Sequence, residues 1–212
     1  MVNSSVAGIR KSEIERPVRE AEKLSETLGL PEKVKDDAKV FISFALSEHR
    51  NLPILAVAAA SVYAACRKNG VPVTIGEIGR SMNPKVEPSR IARYYKRLYS
   101  EVFHEQMPRV ATAEKYVAKI ARTEHLLPSV VSSALQLIAE AKKAGNGSLG
   151  RHPAVVGAAA LYIAGRQAGL HITQRMVTTS AGLSDVGRVR EAIRSLCTTA
   201  VAKQEGNPTE KG

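Results

Sequence analysis

Apolar residues fall three and four positions apart along most of this chain, the spacing of helices that bury one face. Two stretches break that rule: ILAVAAASVYAAC (54–66) and AVVGAAALYIAG (154–165) are apolar on nearly every side. A helix of that kind must be enclosed by its neighbours. The periodic segments and their breaks predict helices over about 17–28, 31–48, 54–69, 74–82, 87–103, 112–125, 128–144, 153–168, 173–181 and 185–201. Pro31, Pro128 and Pro153 suit first-turn positions, and Thr74, Thr112 and Thr173 are N-cap candidates. Gly29, Gly70, Gly145 and Gly169 stand where helices should end. The one extended-looking run, VPVTI at 71–75, is too short to be a strand between two helices. The fold class is all-α.

The pattern is also written twice. Tyr63 returns as Tyr162, Arg67 as Arg166 and Gly70 as Gly169, each 99 positions on. Pro31 matches Pro128 at an offset of 97, and Arg90-Ile91 matches Arg188-Val189 at 98. A period near 98 is too long for a stacked solenoid unit and indicates a duplicated five-helix domain. The expected boundaries are 15–104 and 110–201, with 202–212 a disordered tail and 1–14 unassigned. Within each copy the third helix is expected to be the axle. Ala58, Ala59, Ala60, Ser61, Ala64 and Ala65 let surrounding backbones approach, and Tyr63 adds a hydroxyl that needs a partner. Arg67 and Arg166 are expected where the axle emerges into solvent, near the negative end of its dipole.

Composition narrows the role. Lys and Arg total 31 against 20 Asp and Glu, a net charge of +11 that favours an anionic partner, nucleic acid ahead of a membrane surface. No stretch is apolar enough to span a bilayer, and MVNSSVAGIRKSEIERP has no apolar core of signal-peptide length. Cys66 and Cys197 match neither a disulfide framework nor a zinc pattern, so both are expected to be buried thiols.

Catalytic chemistry finds little support. GNGSLG (145–150) matches a dinucleotide-binding motif by letter, but it follows a helix pattern where that fold requires a strand. His49, His104, His125, His152 and His171 are isolated from one another and from cysteine, without metal-ligand spacing. No cofactor, metal or enzymatic activity is expected.

The fourth and fifth helices of each copy are more informative, because a short helix, a turn and a basic longer helix make a helix-turn-helix-like pair. In the second copy, Gln174 and Arg175 open the first helix, Gly182 marks the turn, and Ser184 or Asp185 caps the next helix. Val189, Ile193 and Leu196 should pack inward, leaving Val186, Gly187, Arg188, Arg190 and Arg194 for base edges and phosphates. The first copy offers Lys85, Arg90, Arg93, Lys96 and Arg97, with Arg90, Arg93 and Arg97 in one stripe for DNA or a protein partner.

The tandem units, with VYAACRKNGVPVTIGEIG, RIARYYKRL, ALYIAGRQAG and ITQRMV in order, resemble the core of transcription initiation factor B. That family comprises the archaeal factor and the eukaryotic general transcription factor IIB, and its two repeats have the cyclin fold. The resemblance covers about residues 15–201. It implies a monomeric factor that binds TATA-binding protein and promoter DNA, assembles the preinitiation complex and recruits RNA polymerase. It places the protein in the nucleus, or in the cytoplasm or nucleoid of an archaeon. In the family the second repeat reads an element upstream of the TATA box, and polymerase contact runs largely through a zinc ribbon that this chain lacks.

Several family-typical positions depart here. Gly187 replaces a threonine at the recognition-helix start, and Arg188 reads as a one-residue insertion. Val73 and Ile172 stand where the family writes arginine, which predicts weaker DNA contact at both loops. Two rivals use the same bundle: a cyclin-like kinase activator, and an adaptor that binds protein alone. Fold does not choose among them.

Overall fold

The computed structural model describes residues 11–49, 52–99, 110–144 and 151–205. The chain divides into two compact units, Met1–Val110 and Ala111–Gly212. The first unit contains α1 (Lys11–Thr27), α2 (Glu32–Glu48), α3 (Ile54–Lys68), α4 (Ile75–Ser81) and α5 (Pro88–Tyr99). The second contains α6 (Ala113–Thr123), α7 (Pro128–Lys143), α8 (Pro153–Gln167), α9 (Gln174–Ser180) and α10 (Val186–Glu205). There is no strand among the described residues.

Each axle is where its composition requires. Every residue of α3 from Ala56 to Cys66 is buried, and α3 packs against α1, α2, α4 and α5. α8 packs likewise against α6, α7, α9 and α10. Small side chains are needed there for clearance. A Cβ on Gly157 of α8 would lie 2.8 Å from the Ala113 carbonyl oxygen, inside van der Waals contact, so α6 crosses α8 almost backbone to backbone.

Helix starts and stops follow local chemistry, with three departures. α1 begins at Lys11 instead of 17 and runs through Pro17, which has no N–H to give the Glu13 carbonyl and whose ring crowds it. α10 continues to Glu205, so residues 202–205 are helical. Thr112 occupies the N-cap of α6, but its hydroxyl accepts no helix N–H.

The most telling stop is at His125. α1 ends on Gly29 at φ +58°, with Leu30 N–H bonding the Ser25 carbonyl at 2.9 Å. α6 ends with the same geometry, Leu126 N–H to the Ala121 carbonyl at 2.9 Å, but its left-handed residue is His125 at φ 50°. A side chain there is strained against its own backbone, so His125→Gly should relieve it. After the greater entropy of an unfolded glycine is subtracted, the expected gain is about 0.5 kcal/mol. Differential scanning calorimetry should show a rise of roughly 3 °C in the transition of the second unit.

Candidate nucleic-acid interface

The charge excess is local. α1 and α2, residues 11–48, carry nine acids against seven bases. Residues 74–99 carry Arg80, Lys85, Arg90, Arg93, Lys96 and Arg97 against Glu77 and Glu87 alone. The net positive charge of the first unit therefore gathers on the α4–α5 pair.

Local sequence builds that pair. Thr74 caps α4, its hydroxyl accepting from Glu77 N–H at 3.1 Å while the Glu77 carboxylate reaches back to Thr74 N–H at 3.5 Å. In α5, Ile91, Tyr95, Leu98 and Tyr99 are buried, which fixes the rotation of the helix. Arg90, Arg93, Lys96 and Arg97 are consequently exposed, as is Lys85 ahead of the helix. None of these five makes an ion pair among the described residues. Arg93 lies with its guanidinium carbon 5.7 Å from the Tyr94 ring centre, which stiffens it at little cost.

The α9–α10 pair is built differently. Thr173 caps α9 by accepting from Met176 N–H at 3.1 Å, with no acid in the first turn to complete a capping box. Arg175 instead stands in that turn, exposed, at the end of the helix dipole where a cation is unfavourable. A residue placed against local preference points to use by a partner.

Asp185, not Ser184, caps α10: its Oδ1 accepts from Gly187 N–H at 2.8 Å. Its Oδ2 pairs with Arg188 Nε at 3.4 Å, an exposed contact of small worth that an anionic ligand can replace. Val189, Ala192 and Leu196 are buried, while Ile193 is only half-buried and Ala192 completes the inward stripe. Val186 is half-buried, and Gly187, Arg188, Arg190 and Arg194 are exposed. Gln174 and Arg190, 16 residues apart, are brought together: Arg190 Nε donates to Gln174 Oε1 at 3.3 Å.

Two expectations about side chains do not hold. Cys66 is buried but Cys197 is exposed, because it follows the inward Leu196 by one residue and turns away from the core. Arg67 does not emerge fully into solvent as Arg166 does; it is half-buried at the end of α3. Its guanidinium carbon lies 5.8 Å from the centre of the Tyr63 ring and 5.2 Å from that of the Tyr95 ring, and its charge opposes the rise that burial imposes on the Tyr63 hydroxyl. Burial pushes the Tyr95 hydroxyl up to about 12, with the Arg67 charge opposing. Tyr95 arrives from α5, so this cluster was not visible in the α3 sequence alone. Ile193 stands at the position of Tyr95 in the second unit, which leaves Arg166 free of such a clamp.

Of the remaining motifs, GNGSLG and His104 lie outside the described residues. His152 accepts from Ala154 N–H at 3.2 Å as the N-cap of α8, a structural duty. Among the described residues no three His, Cys, Asp or Glu side chains converge as a metal site would require.

The family model for the transcription factor TFIIB repeat matches the chain twice, over residues 10–101 and 107–192. Transcription initiation factor IIB of Pyrodictium occultum is 32% identical over 188 residues, covering 86% of this chain and 59% of that protein. The Archaeoglobus fulgidus factor is 34% identical over 169 residues, 79% of this chain and 50% of that one. For the Methanocaldococcus jannaschii factor the identity is 35% over 169 residues, 79% of this chain and 24% of that one. The chain thus spans less than two thirds of the length of these relatives. A chain from the CAK complex of Chaetomium thermophilum bound to ATP-gamma-S overlaps 91% of this chain and 63% of its own length. Its TM-score of 0.40 and identity of 13% are too low to carry an argument for the cyclin rival.

Proposed function

This chain belongs to the transcription factor TFIIB repeat family, a family of transcription factors and not of enzymes, and from that premise we propose that it is the core of a general transcription initiation factor. It binds TATA-binding protein and promoter DNA, helps to assemble the preinitiation complex and so brings RNA polymerase to the start site. The observation that carries the DNA part is the placement of charge. Two helix-turn-helix-like pairs expose Arg90, Arg93 and Arg97 in one unit and Arg175, Arg190 and Arg194 in the other, while α1 and α2 hold the acids.

The recognition helix departs from the family pattern in a way that bears on readout. Gly187 N–H is engaged by Asp185, so the start of α10 does not offer that donor to a phosphate. DNA contact falls instead to the arginine side chains one and two turns along. A chain of this kind acts as a monomer beside its partner, in the nucleus of a eukaryote or the nucleoid of an archaeon. The archaeal sources of the relatives favour the nucleoid.

An electrophoretic mobility assay tests the assembly. The 212-residue chain alone should shift a TATA-box duplex weakly, and with TATA-binding protein it should produce a slower band at low salt. No slower band at low salt would favour the protein-only adaptor.

A further inference from the structure

The two units finish the same surface position differently. In the first, Tyr95 of α5 covers Tyr63 and Arg67 of α3: the two rings meet edge to face at 4.9 Å, and the tyrosines are only 4% and 5% exposed. In the second, Tyr162 and Arg166 of α8 stand 99 positions on, but the residue 98 beyond Tyr95 is Ile193. The covering ring is missing. We propose that Tyr162, Arg166 and Ile193 form an open seat for an aromatic side chain of a protein partner, which supplies from outside the ring that α5 supplies from within. The inference compares the two units with each other and does not depend on the DNA reading.

Tyr162 is half-buried where Tyr63 is sealed, and Arg166 is exposed where Arg67 is half-buried. The two lie four residues apart and so share one face of α8. Neither side chain makes a hydrogen bond, ion pair or ring contact among the described residues, whereas Arg67 lies against two rings. α10 does not close the gap by moving inward. It brings Ala192 and Ile193 where α5 brings Tyr94 and Tyr95, and a shift onto α8 would bury Tyr162 as Tyr95 buries Tyr63. Ile193 is itself only partly buried against the core.

A ring laid in this seat gains an edge-to-face contact with Tyr162, the charge of Arg166 against its face, and the branched side chain of Ile193 beneath it. A guanidinium is weakly hydrated, so covering Arg166 costs less than covering a lysine would. The first unit itself shows what fits the Tyr–Arg pair, and that occupant is a protein side chain. Tyrosine and arginine in one patch are also the residues that most often anchor protein interfaces. A nucleobase fits less well, because the bases of a duplex are stacked on one another and do not offer their faces.

The test titrates p-cresol, the tyrosine side chain alone, into the isotope-labelled 212-residue chain and follows amide and methyl shifts by NMR. Shifts at Tyr162, Arg166 and Ile193 should saturate with a dissociation constant on the order of 1 mM, the scale for so small a ligand. Tyr63, Arg67 and Tyr95 should not respond, because their position is already filled. Ile193→Tyr, which restores the ring of the first unit, should weaken p-cresol by about tenfold by occupying the seat itself. Arg166→Ala should weaken it by about threefold, and because Arg166 is exposed this variant decides the matter if Ile193→Tyr does not fold. Shifts that spread over the surface without saturating, or binding undiminished in a folded variant, overturn the proposal and leave the DNA reading untouched. Adenosine binding the same three residues more tightly than p-cresol makes the seat a nucleobase site and overturns the protein assignment. Shifts there that grow with chain concentration alone make the occupant a second copy, and overturn it as well.

Discussion

Gly79→Ala is expected to cost the first unit about 3 kcal/mol, the largest single-residue effect on stability anticipated here. A Cβ at position 79 would lie 2.3 Å from the Val86 carbonyl oxygen and 3.3 Å from Ile91 Cδ1. The first of these contacts is with backbone, which has no rotamer to change. Val86 N–H also donates to the Gly79 carbonyl at 3.1 Å, so the approach of α4 to the turn before α5 is held from both sides. An added methyl must push α5 away from α4 or break that bond. Thermal unfolding should fall by roughly 15 °C for the transition of the first unit. A fall of less than about 2 °C would show that the turn yields freely.

The second large effect concerns binding. Replacing Arg90, Arg93 and Arg97 together by glutamine removes three exposed cations from one face of α5. Stability should hardly change, because none is buried and none makes an ion pair among the described residues. If each contacts one phosphate, the slope of log K against log salt flattens by about 0.9 per contact. Counterion release on that scale is worth about fivefold per contact near 0.15 M salt, so the three together should weaken ternary binding about 100-fold. The measurement is a salt titration of the complex with TATA-binding protein and duplex, wild type against triple variant. An unchanged slope would assign this stripe to solvent, or to a partner without phosphates.

How far the amino-acid pattern reveals all this depends on the distance over which each feature is decided. Helix positions are local. The alanine runs of α3 and α8, the Thr74 and Thr173 caps and the inward stripe of α5 all follow from residues within one or two turns of one another. The basic stripe is legible for the same reason, since Ile91 and Tyr95 fix which way Arg90 and Arg97 face. Features that need two elements to meet were not legible. Arg67 reads as a solvent-facing end of helix because Tyr95, which half-covers it, lies 28 residues further on, in another helix. Gln174 and Arg190 were each nameable as candidates, but the hydrogen bond between them depends on the angle at the Gly182 turn. His125 misled in another way: its left-handed backbone is imposed by the chain reversal into α7, and nothing in its side chain announces it.

The central claim is that the α4–α5 and α9–α10 pairs, and not the other helices, face promoter DNA. Placing a photo-reactive amino acid at Arg97, at Arg194, and at the exposed control positions Val40 on α2 and Ala139 on α7 tests this most directly. In the complex with TATA-binding protein on a TATA-box duplex, irradiation should join the chain to DNA from positions 97 and 194 and leave 40 and 139 unlinked. Cross-links from the controls with none from 97 or 194 would contradict it.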